Sequence, residues 1–107
     1  MSKFSIITPV HLWNQDRVDK FLQTIKSVEN QTFRDFEWVV VNDGSVVDFL
    51  WDKVLLNKNI PSVTLLHQDH NERVIAYNEA FKVAKGDWFT LLDADDEYIP
   101  EYLEVVN

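Results

Sequence analysis

The stretch Phe36-Glu-Trp-Val-Val-Val-Asn-Asp-Gly-Ser45 decides the fold class. From Phe36 to Val41 it is nearly unbroken apolar sequence, and then it turns polar at once. A strand with one wet face alternates apolar and polar residues. A continuous apolar run belongs to a parallel strand covered on both faces. Asn42-Asp43-Gly44-Ser45 has the composition of a turn, with Gly44 free to adopt a positive φ.

Three further runs on either side read the same way. Phe4-Ser-Ile-Ile-Thr8 is a strand stopped by Pro9, Val63-Thr-Leu-Leu66 follows Pro61, and Trp88-Phe-Thr-Leu-Leu92 follows Gly86. Between them the apolar spacing changes to three and four. Val18, Phe21, Leu22, Ile25 and Val28 predict a helix whose start is marked by Asp16 and Asp19. Val47, Leu50, Trp51, Val54 and Leu55 predict a second, with Ser45 and Asp48 as its capping box. Tyr77, Ala80, Phe81 and Ala84 predict a third, closed by Gly86 just past its end. Asn78 falls among these apolar positions, and a buried Asn there needs partners. Pro100 suits the first turn of a last helix, Glu101 to Val106. Trp38, Trp51 and Trp88 read as core. The order β-α-β-α-β-α-β-α predicts an α/β fold class: alternating β-α units in a mainly parallel sheet with helices on both faces.

The chain has 107 residues, the size of one domain. It carries 10 basic and 18 acidic residues, hence a net charge of −8. That balance excludes nucleic-acid binding driven by phosphate contacts and adhesion to anionic lipid by charge. Cysteine is absent, so no thiolate metal site or Cys nucleophile is available. No apolar stretch approaches the ~18 residues of a membrane span. These features predict a soluble, cytoplasmic protein, or one peripheral at the inner membrane face.

Ligands of parallel α/β sheets bind beyond the carboxyl ends of the strands. That rule selects Thr8-Pro9, Asn42 to Ser45, His67 to Arg73 and Asp93 to Glu97. Asp93-Ala-Asp-Asp96 is the sharpest of them. Three carboxylates in four residues repel one another unless a cation or protons intervene, and oxygen-only ligands suit Mg²⁺ or Mn²⁺. The alternative is a solvated acidic turn that favours the dipole of the last helix. Asp43 at a strand end can accept hydrogen bonds from a base or ribose, or serve only a turn and cap. Arg73 can pair with a diphosphate or with a surface carboxylate. His11, His67 and His70 are too scattered for a metal site. Trp13 lies in a loop beside Pro9 and offers a stacking surface.

Taken in order, FSIITPV, SVENQTF, DFEWVVVNDGS and RVIAYNEAFKVAKGDWFTLLDADDEYIPEYL make the whole chain resemble the N-terminal, nucleotide-sugar-binding half of a family 2 glycosyltransferase of the GT-A fold. The resemblance implies transfer of a sugar from a nucleotide-diphosphate sugar donor to an acceptor hydroxyl, metal-dependent (Mn or Mg) and inverting. The acceptor would be a saccharide, lipid carrier or protein. It implies that Thr8, Pro9 and His11 line the base pocket and that Asp43, second residue of the family's D-D-G-S, binds the nucleobase. Here Asn42 stands in the first position. Asp93 and Asp95 match the outer residues of the D-x-D motif: Asp93 near the ribose, Asp95 on the metal, Asp96 assisting. Arg73 lies close to a nucleotide-contacting arginine of some members. Glu72 and Ala80 stand where many members have glycine.

The family's catalytic domain is about twice as long as residues 1–107, so the acceptor half and the catalytic base fall outside them, and no base is assigned. Two rivals from other classes are a Mg²⁺-binding receiver-like module and an inactive fragment. Thr8-Pro9 after the first strand and His67-Gln68 after the third suit a receiver poorly. An unfinished sheet would leave an exposed edge for self-association.

Overall fold

The structure, a computed structural model, describes residues 3–69 and 73–107, without the side chains of Arg73 and Val74. His70 and Glu72 lie outside the described residues. The elements are β1 (Phe4–Val10), α1 (Gln15–Glu29), β2 (Phe36–Asp43), α2 (Trp51–Leu56), β3 (Val63–Gln68), α3 (Arg73–Val83), β4 (Trp88–Leu91) and α4 (Tyr102–Val106). The four strands form one parallel sheet in the order β3-β2-β1-β4. Ile6 stands beside Trp38 and Thr90, and Trp38 beside Val63. All four carboxyl ends therefore open on one rim.

Alternation along the strands divides the core. Phe4, Ile6 and Val10 of β1 with Phe36, Trp38 and Val40 of β2 pack against Phe21, Ile25 and Val28 of α1, Leu55 of α2 and Leu103 of α4. Ile7, Val39 and Val41 face the other way, onto Ala76 and Ala80 of α3. Small residues on α3 let it lie close to the sheet. Each large side chain buried this way contributes about 1.5–3 kcal/mol.

Several local expectations are corrected. Pro9 does not stop β1, which runs on to Val10. Lys3 and Ile7 use their carbonyls toward β4, so Pro9, of the same parity, turns its missing N–H to the side where β4 has already ended. Helix α1 starts at Gln15, because Asn14 is the cap: its Oδ1 accepts the Arg17 N–H at 2.9 Å. The second helix is only Trp51–Leu56. Ser45 does not cap it; its hydroxyl accepts the Leu12 N–H at 2.8 Å, while the N–H groups of Val46 and Val47 go to the Leu12 carbonyl. Trp88 is 63% exposed, on an edge strand rather than in the core. Asn78 is exposed and needs no buried partner.

Gly86 is not a left-handed helix terminus; Gly44 is the described residue with positive φ, 65°. Gly86 is required for space instead. A Cβ there would come within 2.6 Å of the Ser5 hydroxyl and 2.7 Å of its backbone nitrogen. It belongs to a clasp below the sheet, where buried Glu37 accepts the Ser5 hydroxyl at 2.6 Å and the Lys85 N–H, and Ser5 Oγ accepts the Gly86 N–H at 2.8 Å. This clasp lies at the rim opposite the carboxyl ends of the strands.

Candidate functional site

Two turns stand at the carboxyl rim, at the ends of β2 and β4, with the tip of β1 between them. At the first, Asn42 Oδ1 accepts the Ser45 N–H at 3.1 Å across Gly44. Asp43 is 5% exposed, and its Oδ1 accepts a hydrogen bond from the Gln68 side-chain amide at 3.0 Å. His11 Nδ1 donates to the Asp43 carbonyl at 2.8 Å, which ties the loop after β1 to the end of β2.

At the second turn the Asp96 N–H closes onto the Asp93 carbonyl at 3.1 Å. This folds Asp93, Asp95 and Asp96 so that one carboxylate oxygen from each lies within 4.8 Å of the others. Asp95 and Asp96 are exposed and Asp93 is half-buried. An all-oxygen donor set of this size fits a hard divalent cation, and solvent reaches it to fill further coordination positions.

The turn is held from behind by α1. Thr24 Oγ1 lies 2.6 Å from the Asp96 carbonyl and 2.9 Å from that of Ala94. One turn on, Ser27 Oγ accepts the Tyr98 N–H at 3.2 Å. One turn further, buried Gln31 donates to the Ile99 carbonyl at 2.7 Å and accepts the Leu103 N–H at 3.1 Å. Thr24 and Ser27 sit on the buried side of α1, and Gln31 lies just past its Asn30 cap, at spacings of three and four. Their spacing is the sequence signal: Thr, Ser and Gln at 24, 27 and 31 continue the buried stripe of Phe21, Ile25 and Val28 with polar residues.

Between the acidic turn and the loop after β1 lies a cleft of about 250 Å³ lined by His11, Leu12, Trp13, Arg17, Asp93, Ala94 and Asp95. Trp13 is 48% exposed; the His11 ring lies 5.5 Å from it and the Arg17 guanidinium 4.3 Å above it. Arg17 Nη1 reaches Asp95 Oδ2 at 3.1 Å. Sequence reasoning took Arg73 as the basic residue of the site segments and passed over Arg17. Arg17 stands in the first turn of α1, its N–H on the Asn14 cap, and its side chain lines the cleft.

The structure thus brings His11, Asp93 and Asp95 to one cleft, with Asp43 directly behind His11 and Asp96 beside the other carboxylates. Thr8 is fully buried, and its hydroxyl accepts the Trp38 indole N–H at 2.8 Å. Pro9 is half-buried beneath the cleft loop. Arg73 opens α3, and its side chain lies outside the description. Tyr98, just after the acidic turn, donates its hydroxyl to the Leu91 carbonyl at 2.8 Å. Burial, helped by the neighbouring Tyr102, pushes this phenol well above the ordinary tyrosine range. Among the described residues no helix is long and apolar enough to cross a membrane.

The chain is 31% identical over 105 residues to the uncharacterized glycosyltransferase YibD of Escherichia coli, which covers 98% of this chain and 29% of that protein. It is 32% identical over 94 residues to the putative colanic acid biosynthesis glycosyl transferase WcaA of the same organism, 87% of this chain and 33% of the other. Among solved structures, S. aureus TarS 1-349 superposes with a TM-score of 0.82 at 27% identity over 97% of this chain and 31% of that one. The same fragment in complex with UDP gives 0.82 at 25% identity, over 97% and 30%. The chain therefore spans about a third of the length of these relatives. The model of the family described as "Glycosyl transferase family 2" matches residues 5–106. With its parallel sheet and this rim, the chain belongs to glycosyl transferase family 2.

Proposed function

We propose that residues 1–107 are the donor-binding part of a metal-dependent, inverting glycosyltransferase. The observation that carries this is the common rim: the Asp43 turn and the Asp93–Asp96 turn stand at the same carboxyl edge, and His11, which lines the cleft with Asp93 and Asp95, is bonded to the Asp43 carbonyl. A nucleotide-diphosphate sugar fits with its base toward Asp43 and His11 and its diphosphate toward Asp95. TarS, of the same fold, is known in complex with UDP, which supports a nucleoside diphosphate as the ligand class.

In this arrangement the Asp43 carboxylate accepts a base N–H, and Gln68 fixes its orientation. Thr8 acts through position, holding the base of the loop on Trp38, and Pro9 stiffens it. Asp93 accepts from a ribose hydroxyl. Asp95, with Asp93 and Asp96, would hold Mn²⁺ or Mg²⁺, which when bound supplies positive charge to the leaving diphosphate. Arg73, at the start of α3, would add to the nucleotide contacts. As the acceptor oxygen bonds to the sugar's C1 and the C1–phosphate oxygen bond breaks from the opposite side, the nucleoside diphosphate departs with the electron pair. The base that takes the acceptor proton is assigned to no residue of this chain. The acceptor is a saccharide, a lipid carrier or a protein, and the compartment is cytoplasmic or the inner membrane face. Self-association would run through edge strand β4, where Trp88, Phe89 and Leu91 are exposed; a sedimentation coefficient independent of concentration would remove it.

The test is a thermal-shift screen of nucleoside diphosphates with and without Mn²⁺. A bound diphosphate at 100 times its Kd stabilises by about 2.7 kcal/mol, a shift of several degrees for a domain of this size. A midpoint indifferent to every nucleoside diphosphate, with Mn²⁺ present, would refute donor binding by this chain.

A further inference from the structure

Arg17 is the only lysine or arginine among the described residues lining the cleft, and it faces Asp95, the carboxylate on which the cation is proposed to sit. Its Nη1 engages Asp95 Oδ2 at 3.1 Å, and its guanidinium carbon stacks 4.3 Å from the centre of the Trp13 ring. The two side chains are 33% and 44% exposed, so the pair is modest in strength and exchangeable. A divalent ion on Asp95 and a guanidinium on the same carboxylate repel each other at contact distance. The stack on Trp13 gives the displaced guanidinium a second hold on the cleft wall. Its planar fork matches the paired oxygens of a diphosphate.

We infer that Arg17 is a positioning residue that serves as the counter-cation of Asp95 and, when a divalent cation takes that carboxylate, passes to the diphosphate of the donor. The inference rests on the donor-site proposal. It gives Arg17 two opposed effects: it competes with the metal alone and supports the nucleotide once the metal is bound.

The experiment is calorimetry on the 107-residue protein and its Arg17→Gln and Arg17→Lys variants, with Mn²⁺ alone and with UDP at saturating Mn²⁺. Arg17→Gln is expected to bind Mn²⁺ about two- to fivefold more tightly and UDP about tenfold more weakly. Arg17→Lys keeps the charge without the fork, and should hold Mn²⁺ affinity within about twofold of wild type while sharing the weaker UDP binding. Wild-type protein that binds neither Mn²⁺ nor UDP overturns the donor-site proposal and this inference with it. Wild-type binding of both, without the opposed shifts in Arg17→Gln, overturns the exchange alone. A general loss of fold in Arg17→Gln would weaken both ligands, and Arg17→Lys then decides: UDP affinity equal to wild type overturns the exchange.

Discussion

The two turns at the rim are built in opposite ways. The Asp43 turn is closed on itself: its carboxylate is buried and engaged by Gln68, its carbonyl by His11, and its backbone by Asn42 and a left-handed Gly44. The Asp93–Asp96 turn faces outward. Its backbone is fastened to α1 through Thr24, while Asp95 and Asp96 stay exposed. A planar base is recognised by fixed hydrogen-bond geometry, which needs a preformed site. A hydrated cation arrives with its own ligands, and exposed oxygens on a fixed backbone serve it better. One turn is rigid in its side chains, the other only in its main chain.

Three changes should separate the two. The largest effect is expected from Thr24→Val, which removes the hydroxyl behind the acidic turn and nothing near Asp43. Mn²⁺ affinity should fall about 10- to 100-fold by calorimetry, as for other losses in the shell behind a metal ligand. Metal-free nucleotide binding should be unchanged, and an equal fall in both would erase the distinction. Next is Gly44→Ala, which forces a β-carbon into φ 65°. Urea denaturation should show a loss of about 1–2 kcal/mol, with Mn²⁺ affinity retained; full stability would mean that the turn relaxes freely. The smallest concerns Tyr98, beyond the acidic turn. Its pKa is raised in the folded protein above the ordinary value near 10. The folded state then holds a proton that the unfolded chain releases, so stability is full below about pH 10 and falls as pH rises beyond it. Tyr98→Phe should flatten that alkaline decline, and an unchanged slope would assign it elsewhere.

Much of this was legible in the letters. The Phe36–Val41 run and the three- and four-residue spacings carried the α/β alternation and both turns, because burial on two faces and on one helical stripe leaves periodic traces. What escaped depends on contacts between distant residues. Val47 and Leu50 have helical spacing, yet the backbone at 46 and 47 is drawn to the Leu12 carbonyl, and α2 begins only at Trp51. Trp88 is apolar enough for a core, but its strand is the last in the sheet. Gly86 looked like a helix end and is in fact a fit against Ser5. At the site, the carboxylates announced themselves by clustering. Arg17 did not, since its partner Asp95 lies 78 residues away in sequence. The Thr24, Ser27 and Gln31 ladder leaves no apolar trace, since Thr24 and Ser27 are polar residues on a buried helix face and Gln31 lies beyond the helix end.

The contrast between the turns is most directly tested by UDP calorimetry, with and without Mn²⁺, on wild type, Asp43→Ala and Asp95→Ala. Asp43→Ala should weaken UDP under both conditions, whereas Asp95→Ala should leave metal-free binding intact and abolish the gain from Mn²⁺. Full UDP affinity in Asp43→Ala, or an undiminished Mn²⁺ gain in Asp95→Ala, would contradict a single cleft served by both turns.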